Sequence, residues 1–302
     1  MEKWGGLVWD TNVVKISLFT VKLFTLILST LHTGRGELRG GHVAGMSLAI
    51  RLSPAENTRP RCRPIGHAIR RQAASPMATA ILIADQIEIP AMAQGLVDFR
   101  RWAISDDFPE RGRIDFVGGR IEVDLSPEDL HTHGTTIVEI LAVLAGRIRQ
   151  LELGEIYTSR ARVSCPMADL SVEPDILFVS YDAMDSDRVR LIPKPGVPEC
   201  YVEFEGSPDL IVEIVSDSTE GKDTQRLPTA YWQAGVREFW LVDARRSELC
   251  FRIHHRSDAD YQPAPTDDDS YQYSAVLGCW YRLERLRNDH GRLRYALLEK
   301  AG

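Results

Sequence analysis

The alternation of apolar and polar residues predicts a mixture of strands and helices from residue 77 to the end of the chain. Residues 112–124 hold two alternating runs joined by Gly118-Gly119, a pair favoured in tight hairpin turns. Residues 135–151 instead carry apolar side chains at helical spacing. This spacing predicts a helix of about four turns with one buried stripe, formed by Ile137, Ile140, Leu141, Leu144 and Ile148.

Three further apolar runs predict strands, at 171–180, 209–216 and 237–244. A helix at 224–234 fits between the last two, with Pro228 in its first turn and Gly235 at its C-terminal end. A strand, a helix and a second strand at this spacing form a βαβ unit, so the last two strands should be parallel neighbours. The predicted fold class is therefore α/β, with a mixed central β-sheet flanked by helices and with extra β-hairpins.

Residues 1–76 differ from the rest in charge and in pattern. They contain 11 Lys/Arg and 4 Asp/Glu, whereas the remaining residues contain 25 and 39. Their apolar segment, 13–31, is interrupted by Lys15 and Lys22, and its charge-free pieces are shorter than the ~20 residues that span a bilayer. We therefore expect residues 1–76 to be a disordered or non-native N-terminal extension, residues 77–302 to be the folded domain, and no membrane to be a partner.

The cysteines are scattered and form no CxxC pair: Cys62, Cys165, Cys200, Cys250 and Cys279. An odd, widely spaced set in a chain of this length argues against a disulfide framework and against a structural zinc site. The cysteine pattern therefore predicts a reducing compartment, and we expect the protein to be cytoplasmic.

Glu213 is an acidic residue inside an apolar, β-branched run typical of a strand buried on both faces. An ionised carboxylate there costs several kcal/mol unless a proton, a metal ion or a cationic partner neutralises it. Asp175 follows Pro174 at the start of another apolar run, on the face of Leu177 and Val179. Two acids on adjacent strands could converge on one hard divalent cation. The alternatives are that Asp175 caps a turn and that Glu213 pairs with an arginine.

Three blocks of sequence carry a family resemblance: "VEPDILFVS", then "SPDLIVEIVSDST" followed by "KD", then "YWQAGVREFWLVD". In this order they resemble the Uma-two-type restriction endonucleases of the PD-(D/E)xK nuclease superfamily. The resemblance implies a restriction-endonuclease-like fold, Asp175 and Glu213 as metal-binding acids, and Mg²⁺ or Mn²⁺ as cofactor. It also implies hydrolysis of phosphodiester bonds in nucleic acid, with DNA as the expected substrate.

The chain departs from this resemblance at the catalytic lysine. The superfamily's lysine usually lies two residues after the glutamate, where this chain has Val215, and relatives often place it at the position of Leu227. Lys222 is the best substitute because its flexible stem could bring an ammonium group over the strand end. Arg226 is second, since a guanidinium does not act as an acid or base near neutral pH. The alternative for Lys222 is a loop lysine that faces solvent.

His133 is a further candidate for the site. If the predicted helix extends back to it, His133 faces the sheet, where it could contact a scissile phosphate or orient a metal-bound water. The alternative is a histidine that caps the start of a helix in the core. His131 makes an HxH pair with it, which alone is weak evidence for a metal site.

Other polar residues were assigned supporting roles by their position. Glu139 lies opposite the apolar stripe of its helix and should face solvent. Asp209 shares the face of Glu213 and is either a second acid near the site or a plain strand-start acid. Nucleic-acid binding needs clustered positive charge, and four arginines near the proposed strands could supply a local patch: Arg160, Arg162, Arg188 and Arg190.

Two functions follow from the sequence. The first is a metal-dependent endonuclease with Asp175, Glu213, Lys222 and His133 in its active site, dimeric if it cuts both strands of DNA. The second is a catalytically inactive nuclease-fold protein that binds nucleic acid or a protein partner. The missing lysine favours the second function, and the retention of both acids favours the first.

Overall fold

The computed structural model describes residues 13–16, 48–51, 80–83 and 87–302. They fall into two compact units, one with 13–16, 80–83 and 87–102, and the other with 48–51 and 103–302. The predicted extension, 1–76, lies outside the described residues except for two short strands. The boundary of the folded domain at residue 77 therefore stays a prediction.

The first unit contains a small sheet and a helix. The elements at this end of the chain are β1 (Val13–Ile16), β2 (Leu48–Arg51), β3 (Ala80–Ile83), β4 (Ile87–Pro90) and α1 (Leu96–Ala103). Strands β1, β3 and β4 form a three-stranded sheet in that order, and β2 belongs to the second unit. Helix α1 buries its apolar residues Leu96, Phe99 and Trp102.

The second unit is built from the remaining strands and three helices. Its strands are β5 (Arg113–Val117), β6 (Arg120–Asp124), β7 (Gly154–Thr158), β8 (Arg162–Cys165), β9 (Leu170–Val172), β10 (Ile176–Ser180), β11 (Val189–Pro193), β12 (Tyr201–Gly206), β13 (Leu210–Ile214), β14 (Glu238–Asp243), β15 (Cys250–Arg256), β16 (Tyr261–Pro263), β17 (Gln272–Ser274), β18 (Cys279–Arg287) and β19 (Leu293–Ala301). Its α-helices are α2 (Thr135–Gln150), α3 (Tyr181–Asp185) and α4 (Leu227–Ala234). Single π-helical turns precede α2 and α4, at Leu130–Gly134 and Lys222–Arg226.

These strands form three sheets. A six-stranded sheet has the order β16-β15-β14-β13-β10-β7, a seven-stranded sheet has the order β11-β12-β8-β9-β5-β6-β2, and a third contains β17, β18 and β19. Both large sheets are mixed, because β13 pairs in parallel with β14, and β12 with β8, among antiparallel neighbours. The predicted α/β class, with mixed sheets flanked by helices and added hairpins, is confirmed.

The strongest sequence patterns correspond to observed elements. The predicted hairpin is β5–β6, and the apolar stripe of α2 packs into the core as predicted. The βαβ prediction is also confirmed, since α4 connects the parallel neighbours β13 and β14. Pro228 lies in the first turn of α4, and Gly235 ends the helix with a φ of +83°, a conformation that glycine adopts without strain.

The predicted strand at 171–180 is wrong in one respect, because it consists of two strands in different sheets. Strand β9 belongs to the seven-stranded sheet and β10 to the six-stranded sheet. The chain crosses between the sheets at Glu173–Asp175, where Pro174 has no N–H to donate to either ladder. This crossing places Asp175 where the two sheets meet.

The six-stranded sheet is covered on both faces, and the alternation along β13 places Glu213. Val212 and Ile214 point into a core shared with α2 and with the sheet of β17–β19. Ile211 points to the opposite face, into a core shared with α4 and the seven-stranded sheet. Glu213 lies on the same face as Ile211 because side chains alternate along a strand. It is therefore enclosed between the two large sheets.

No helix within the described ranges is long and apolar enough to cross a bilayer. The four cysteines that the structure describes, Cys165, Cys200, Cys250 and Cys279, are free thiols, in agreement with the sequence prediction. Cys62 and most of the apolar segment 13–31 lie outside the described residues.

Candidate active site

Asp175 and Glu213, the two predicted metal-binding acids, lie side by side. Strands β10 and β13 are antiparallel, with Ile176 opposite Val212. Continuing this register by one residue sets Asp175 opposite Glu213, the arrangement in which side chains of neighbouring strands meet. Both side chains are buried, Asp175 at 3% exposure and Glu213 at 0%.

A single guanidinium group joins the two acids. Arg113, at the start of β5 in the other sheet, donates from Nη1 to Asp175 Oδ1 and from Nη2 to Glu213 Oε2, each at 3.1 Å. Its Nε lies 3.4 Å from Asp115 Oδ2. The sequence reasoning allowed for an arginine partner of Glu213 but missed Arg113. The sequence signal for a role of Arg113 was that Arg113 and Asp115, two charged residues, share one face of a predicted strand.

The other oxygens of the two acids are bound elsewhere. The Tyr231 hydroxyl, on α4, donates to Glu213 Oε1 at 2.5 Å. The backbone N–H of Ile214 donates to Asp175 Oδ2 at 2.7 Å. Tyr231 is a buried core aromatic that also touches the site. The oxygens held by Arg113 are therefore the ones that the two acids present to a common point.

Lys222 is fixed inside the site. It begins the π-helical turn before α4, is 3% exposed, and donates from Nζ to Asp115 Oδ2 at 2.8 Å. Asp115 also accepts the backbone N–H of Glu173 at 3.0 Å. The alternative of a solvent-facing loop lysine is wrong, because the ammonium is held by a buried carboxylate 107 residues away. The role of Lys222 as the substitute lysine stays a prediction.

Asp223 is a fourth buried acid that the sequence analysis missed. The Thr219 hydroxyl donates to its Oδ2. Its Oδ1 is buried and has no hydrogen-bond partner among the described residues. Burial raises its pKa, and the charges of Lys222 and Arg113 offset this effect only in part. The described cluster thus contains four buried acids: Asp115, Asp175, Glu213 and Asp223.

His133 approaches the cluster from the π-helical turn before α2, whose first N–H groups are capped by Asp129. It is buried, with Nε2 3.4 Å from Asp175 Oδ2 and Nδ1 3.3 Å from Glu128 Oε2. His131 is exposed and does not join the site. This π-helical turn places His133 beside the buried acids. Asp129, not His133, caps the start of the turn.

Burial and charge move the pKa values of these groups in opposite directions. Burial raises the pKa of Glu213 to about 8, and Arg113 only partly offsets this effect. Burial also raises the pKa of Asp223 to about 6. For Asp175, burial is outweighed by Arg113, His133 and the Ile214 N–H, which lower its pKa to about 2. Such divergence within one cluster is typical of functional sites.

The carboxylate oxygens of this cluster suit a hard divalent cation that takes few of its ligands from the protein. In the part of the chain that the structure describes, no three His, Cys, Asp or Glu side chains converge as a preformed metal site. Mg²⁺ is commonly held by one or two carboxylates and keeps several waters. Asp175 Oδ1 and Glu213 Oε2 can provide two such ligands. The position between them is taken by the Arg113 guanidinium, so the residues fit a metal once that group withdraws.

The arginines predicted to form a cationic patch bind groups of the protein itself: Arg160, Arg162, Arg188 and Arg190. Arg162 is buried and donates to Glu173 at 2.6 Å. Arg188 donates to Asp209 at 2.6 Å, and Arg190 pairs with Glu205. Arg162 is too buried to join a surface patch, whereas a patch of the other three arginines stays a prediction, with Arg188 and Arg190 paired to carboxylates of the protein.

Three other candidates have structural contacts outside the cluster. Asp209 accepts the backbone N–H of Ser180 at 2.8 Å and behaves as a strand-start acid. Glu139 is half-buried and accepts the backbone N–H of Leu297 at 3.0 Å, so the expectation that it faces solvent is wrong. Arg226 makes a bidentate pair with Glu122 at 2.6 and 2.9 Å.

The pH dependence of folding should report the contacts of His133. Burial lowers its pKa, but Asp175 and Glu128 outweigh burial and raise it from 6.5 to about 10. Because the folded-state pKa is the higher one, the stabilisation is complete below pH 6.5 and is lost as the pH rises through 10.

The free energy of unfolding should fall between pH 6 and pH 10 in the wild type. In His133→Gln we expect this fall to be smaller by about 2 kcal/mol. This value is discounted because Glu128 is largely exposed and therefore screened. Urea unfolding of both proteins at the two pH values measures the difference. Equal pH dependence in both proteins would show that these contacts contribute nothing to folding.

Comparison with known proteins gives one family match and a weak structural likeness. The sequence model of a family described as "Uma2: Putative restriction endonuclease" matches residues 96–284. Among solved structures, the chain is similar to a protein described as a "putative nuclease belonging to DUF820 from Anabaena variabilis ATCC 29413". The identity is 14%, the TM-score is 0.42, and the match covers 61% of this chain and 90% of that chain. No curated protein matches the chain.

Proposed function

The chain belongs to the Uma2 family of nucleases, and from this premise we propose that it is a divalent-metal-dependent endonuclease that hydrolyses phosphodiester bonds in DNA. The observation that carries the proposal is the convergence of Asp175 and Glu213 from neighbouring strands in a buried, charged cluster. Two buried carboxylates with oxygens directed at one point are costly to the fold unless a cation binds them. A divalent cation bound there can stabilise charge on a phosphate and activate water, which is how metal-dependent phosphodiester hydrolysis proceeds.

Asp175 and Glu213 would hold Mg²⁺ or Mn²⁺, which would stabilise charge on the phosphate and activate the attacking water. The Tyr231 hydroxyl and the Ile214 N–H fix the orientation of these two acids. We infer that Lys222, held by Asp115, places a positive charge beside the phosphate that develops extra negative charge in the transition state.

His133 completes the site as a cation. Burial lowers its pKa, but Asp175 and Glu128 outweigh burial and raise it to about 10 in the metal-free structure, so the ring can donate a hydrogen bond or a proton. Its position beside Asp175 Oδ2 places it at the edge of the proposed metal position. This edge is where we expect a phosphate oxygen or a leaving group to bind.

The free thiols of the described cysteines support a reducing, cytoplasmic location. DNA is proposed as the substrate because the family is described as restriction endonucleases. Two active sites can cut the two strands of a duplex together, and we propose a homodimer for that reason.

The test is cleavage of supercoiled plasmid, single-stranded DNA and RNA by the full chain with Mg²⁺, Mn²⁺ or EDTA. We expect plasmid nicking or linearisation with either metal and none with EDTA. Asp175→Asn should remove the activity, because the amide cannot replace an anionic ligand. Glu238→Gln is the matched control. Glu238 is also buried, but it lies on β14 with Trp240 and Ser274 as partners. Cleavage by Asp175→Asn at the wild-type rate would contradict the proposal.

A second candidate function is a nuclease-fold protein that binds nucleic acid or a protein without cutting. The occupation of the cation position by Arg113 favours it, since the two acids are already neutralised without a metal. The two candidates differ in metal binding. A protein that never binds Mn²⁺ in calorimetry, and never cleaves, would support the second candidate.

A further inference from the structure

Arg113 lies where the proposed function requires a metal ion. Its two Nη atoms are each 3.1 Å from one of the acids, on the oxygens that the acids present to a common point. A guanidinium and a divalent cation cannot bind these same oxygens at once, because both need the space between them. Metal binding and this arginine contact are therefore mutually exclusive.

We propose that Arg113 is a built-in competitor of the metal, whose displacement sets the metal affinity of the site. This inference rests on the proposed function, since it concerns the same two acids. It goes beyond that function by assigning to Arg113 a role that neither the family match nor the sequence predicts. Arg113 neutralises the acids in the metal-free protein and withdraws when a divalent cation takes its place.

The surroundings of Arg113 allow such a movement. Its side chain keeps 20% of its surface exposed, whereas those of Asp175, Glu213 and Lys222 are almost fully buried. Its Nε is 3.4 Å from Asp115 Oδ2, a carboxylate that also binds Lys222. Asp115 could therefore keep the displaced guanidinium beside the site as an alternative partner.

The charges of the cluster also support an exchange of cations. The four buried acids face the cationic groups of Arg113, Lys222 and His133, and the charge of the buried Arg162 also acts on Asp115. Lys222 is bound to Asp115, and His133 approaches the far oxygen of Asp175. Among the described residues, Arg113 is the cation that pairs with both Asp175 and Glu213. Removing Arg113 alone would leave these two acids without a shared counter-ion. A divalent metal ion would take its place and bring one more positive charge than the guanidinium.

The competition between Arg113 and the metal determines how much the metal affinity should change when Arg113 is removed. When only a fraction of the molecules has the arginine withdrawn, the apparent metal Kd equals the intrinsic Kd divided by that fraction. A contact of two charge-assisted hydrogen bonds should keep that fraction at about one tenth or less. Removing the guanidinium should therefore tighten metal binding by about tenfold or more.

The experiment is calorimetric titration of the full chain with Mn²⁺, in the wild type, Arg113→Gln and Arg113→Lys. We expect at least about a tenfold lower Kd in Arg113→Gln and an intermediate value in Arg113→Lys, which keeps the charge but not the fork. Arg226→Gln is the matched control, because it removes an equally bidentate arginine from Glu122, a buried acid on the neighbouring strand β6. Its Kd should equal that of the wild type.

Thermal unfolding provides a second measurement that does not depend on catalysis. In EDTA, Arg113→Gln should melt at a lower temperature than the wild type, and saturating Mn²⁺ should raise its Tm by more than it raises that of the wild type. Arg113→Lys repeats the comparison if the glutamine variant does not fold.

An unchanged or weaker Mn²⁺ affinity in both Arg113 variants, with binding to the wild type intact, would overturn the role of Arg113 but not the proposed function. Metal binding that survives Glu213→Gln in the Arg113→Gln background would contradict the assigned ligands. Absence of Mn²⁺ binding in every variant would overturn the inference and the proposed function together.

Discussion

Glu213→Gln is expected to abolish metal-dependent cleavage while leaving the protein folded and nearly as stable as the wild type. The carboxylate is fully buried and burial raises its pKa to about 8, so the fold already bears the cost of placing an acid there. Replacing it with an amide of the same shape removes that cost. We expect a change in the free energy of unfolding of no more than about 1 kcal/mol.

The local hydrogen bonds can adapt to glutamine. The amide oxygen can accept from Arg113 Nη2, and the amide N–H₂ can donate to the Tyr231 hydroxyl, which accepts as well as donates. Asp175 and Asp115 still hold Arg113 in place. Arg113 Nη2 keeps an acceptor and the Tyr231 hydroxyl keeps a hydrogen bond to residue 213, which is why folding should persist.

The activity cannot adapt in the same way, because a neutral amide replaces one of two anionic metal ligands. Loss of a group that only supports a ligand typically costs 10–100-fold, so loss of the ligand itself should exceed about 100-fold in the cleavage rate. Plasmid cleavage rates and urea unfolding of the same preparations measure both effects. Cleavage within tenfold of the wild type, in a folded variant, would remove Glu213 from the active site.

The two acids could be predicted from the sequence because their signal is local. Glu213 interrupts an apolar run that has no structural use for a charge, and Asp175 opens a run of the same kind. The alternation of side chains along a strand then determines the face on which Glu213 lies. The βαβ spacing identifies the parallel strand that lies beside the strand of Glu213. These inferences needed only short stretches of chain, which is why the structure agrees with them.

The cations could not be placed from the sequence because their partners are far away along the chain. Arg113 is 62 residues from Asp175 and 100 residues from Glu213, and Lys222 is 107 residues from Asp115. These contacts exist because the chain crosses from β9 to β10 and brings the two large sheets together at Asp175. The apolar pattern of residues 171–180 resembles one continuous strand, so the crossing between the two sheets could not be predicted. The position of β5 beside the two acids depends on that crossing and could not be predicted either.

Lys222→Met is expected to have the largest effect on stability, and a double variant should separate its structural role from its catalytic role. The ammonium is the closest cation to Asp115, at 2.8 Å, and both side chains are almost fully buried. Removing one member of a buried ion pair leaves the other unpaired, at a cost of about 3–5 kcal/mol. Arg113 Nε, 3.4 Å away, compensates only in part. The free energy of unfolding in urea measures this loss.

Combining Lys222→Met with Asp115→Asn should recover most of that stability, because a neutral amide in place of Asp115 no longer needs a counter-ion. The amide oxygen can still accept the Glu173 N–H, so the local backbone contact persists. If Lys222 acts on the phosphate, the double variant is folded and stable but remains at least about 100-fold slower in cleavage. Recovery of cleavage together with stability would show that Lys222 only neutralises Asp115. In that case the positive charge for the phosphate must come from another cationic group of the cluster, either the displaced guanidinium of Arg113 or the ring of His133 beside Asp175.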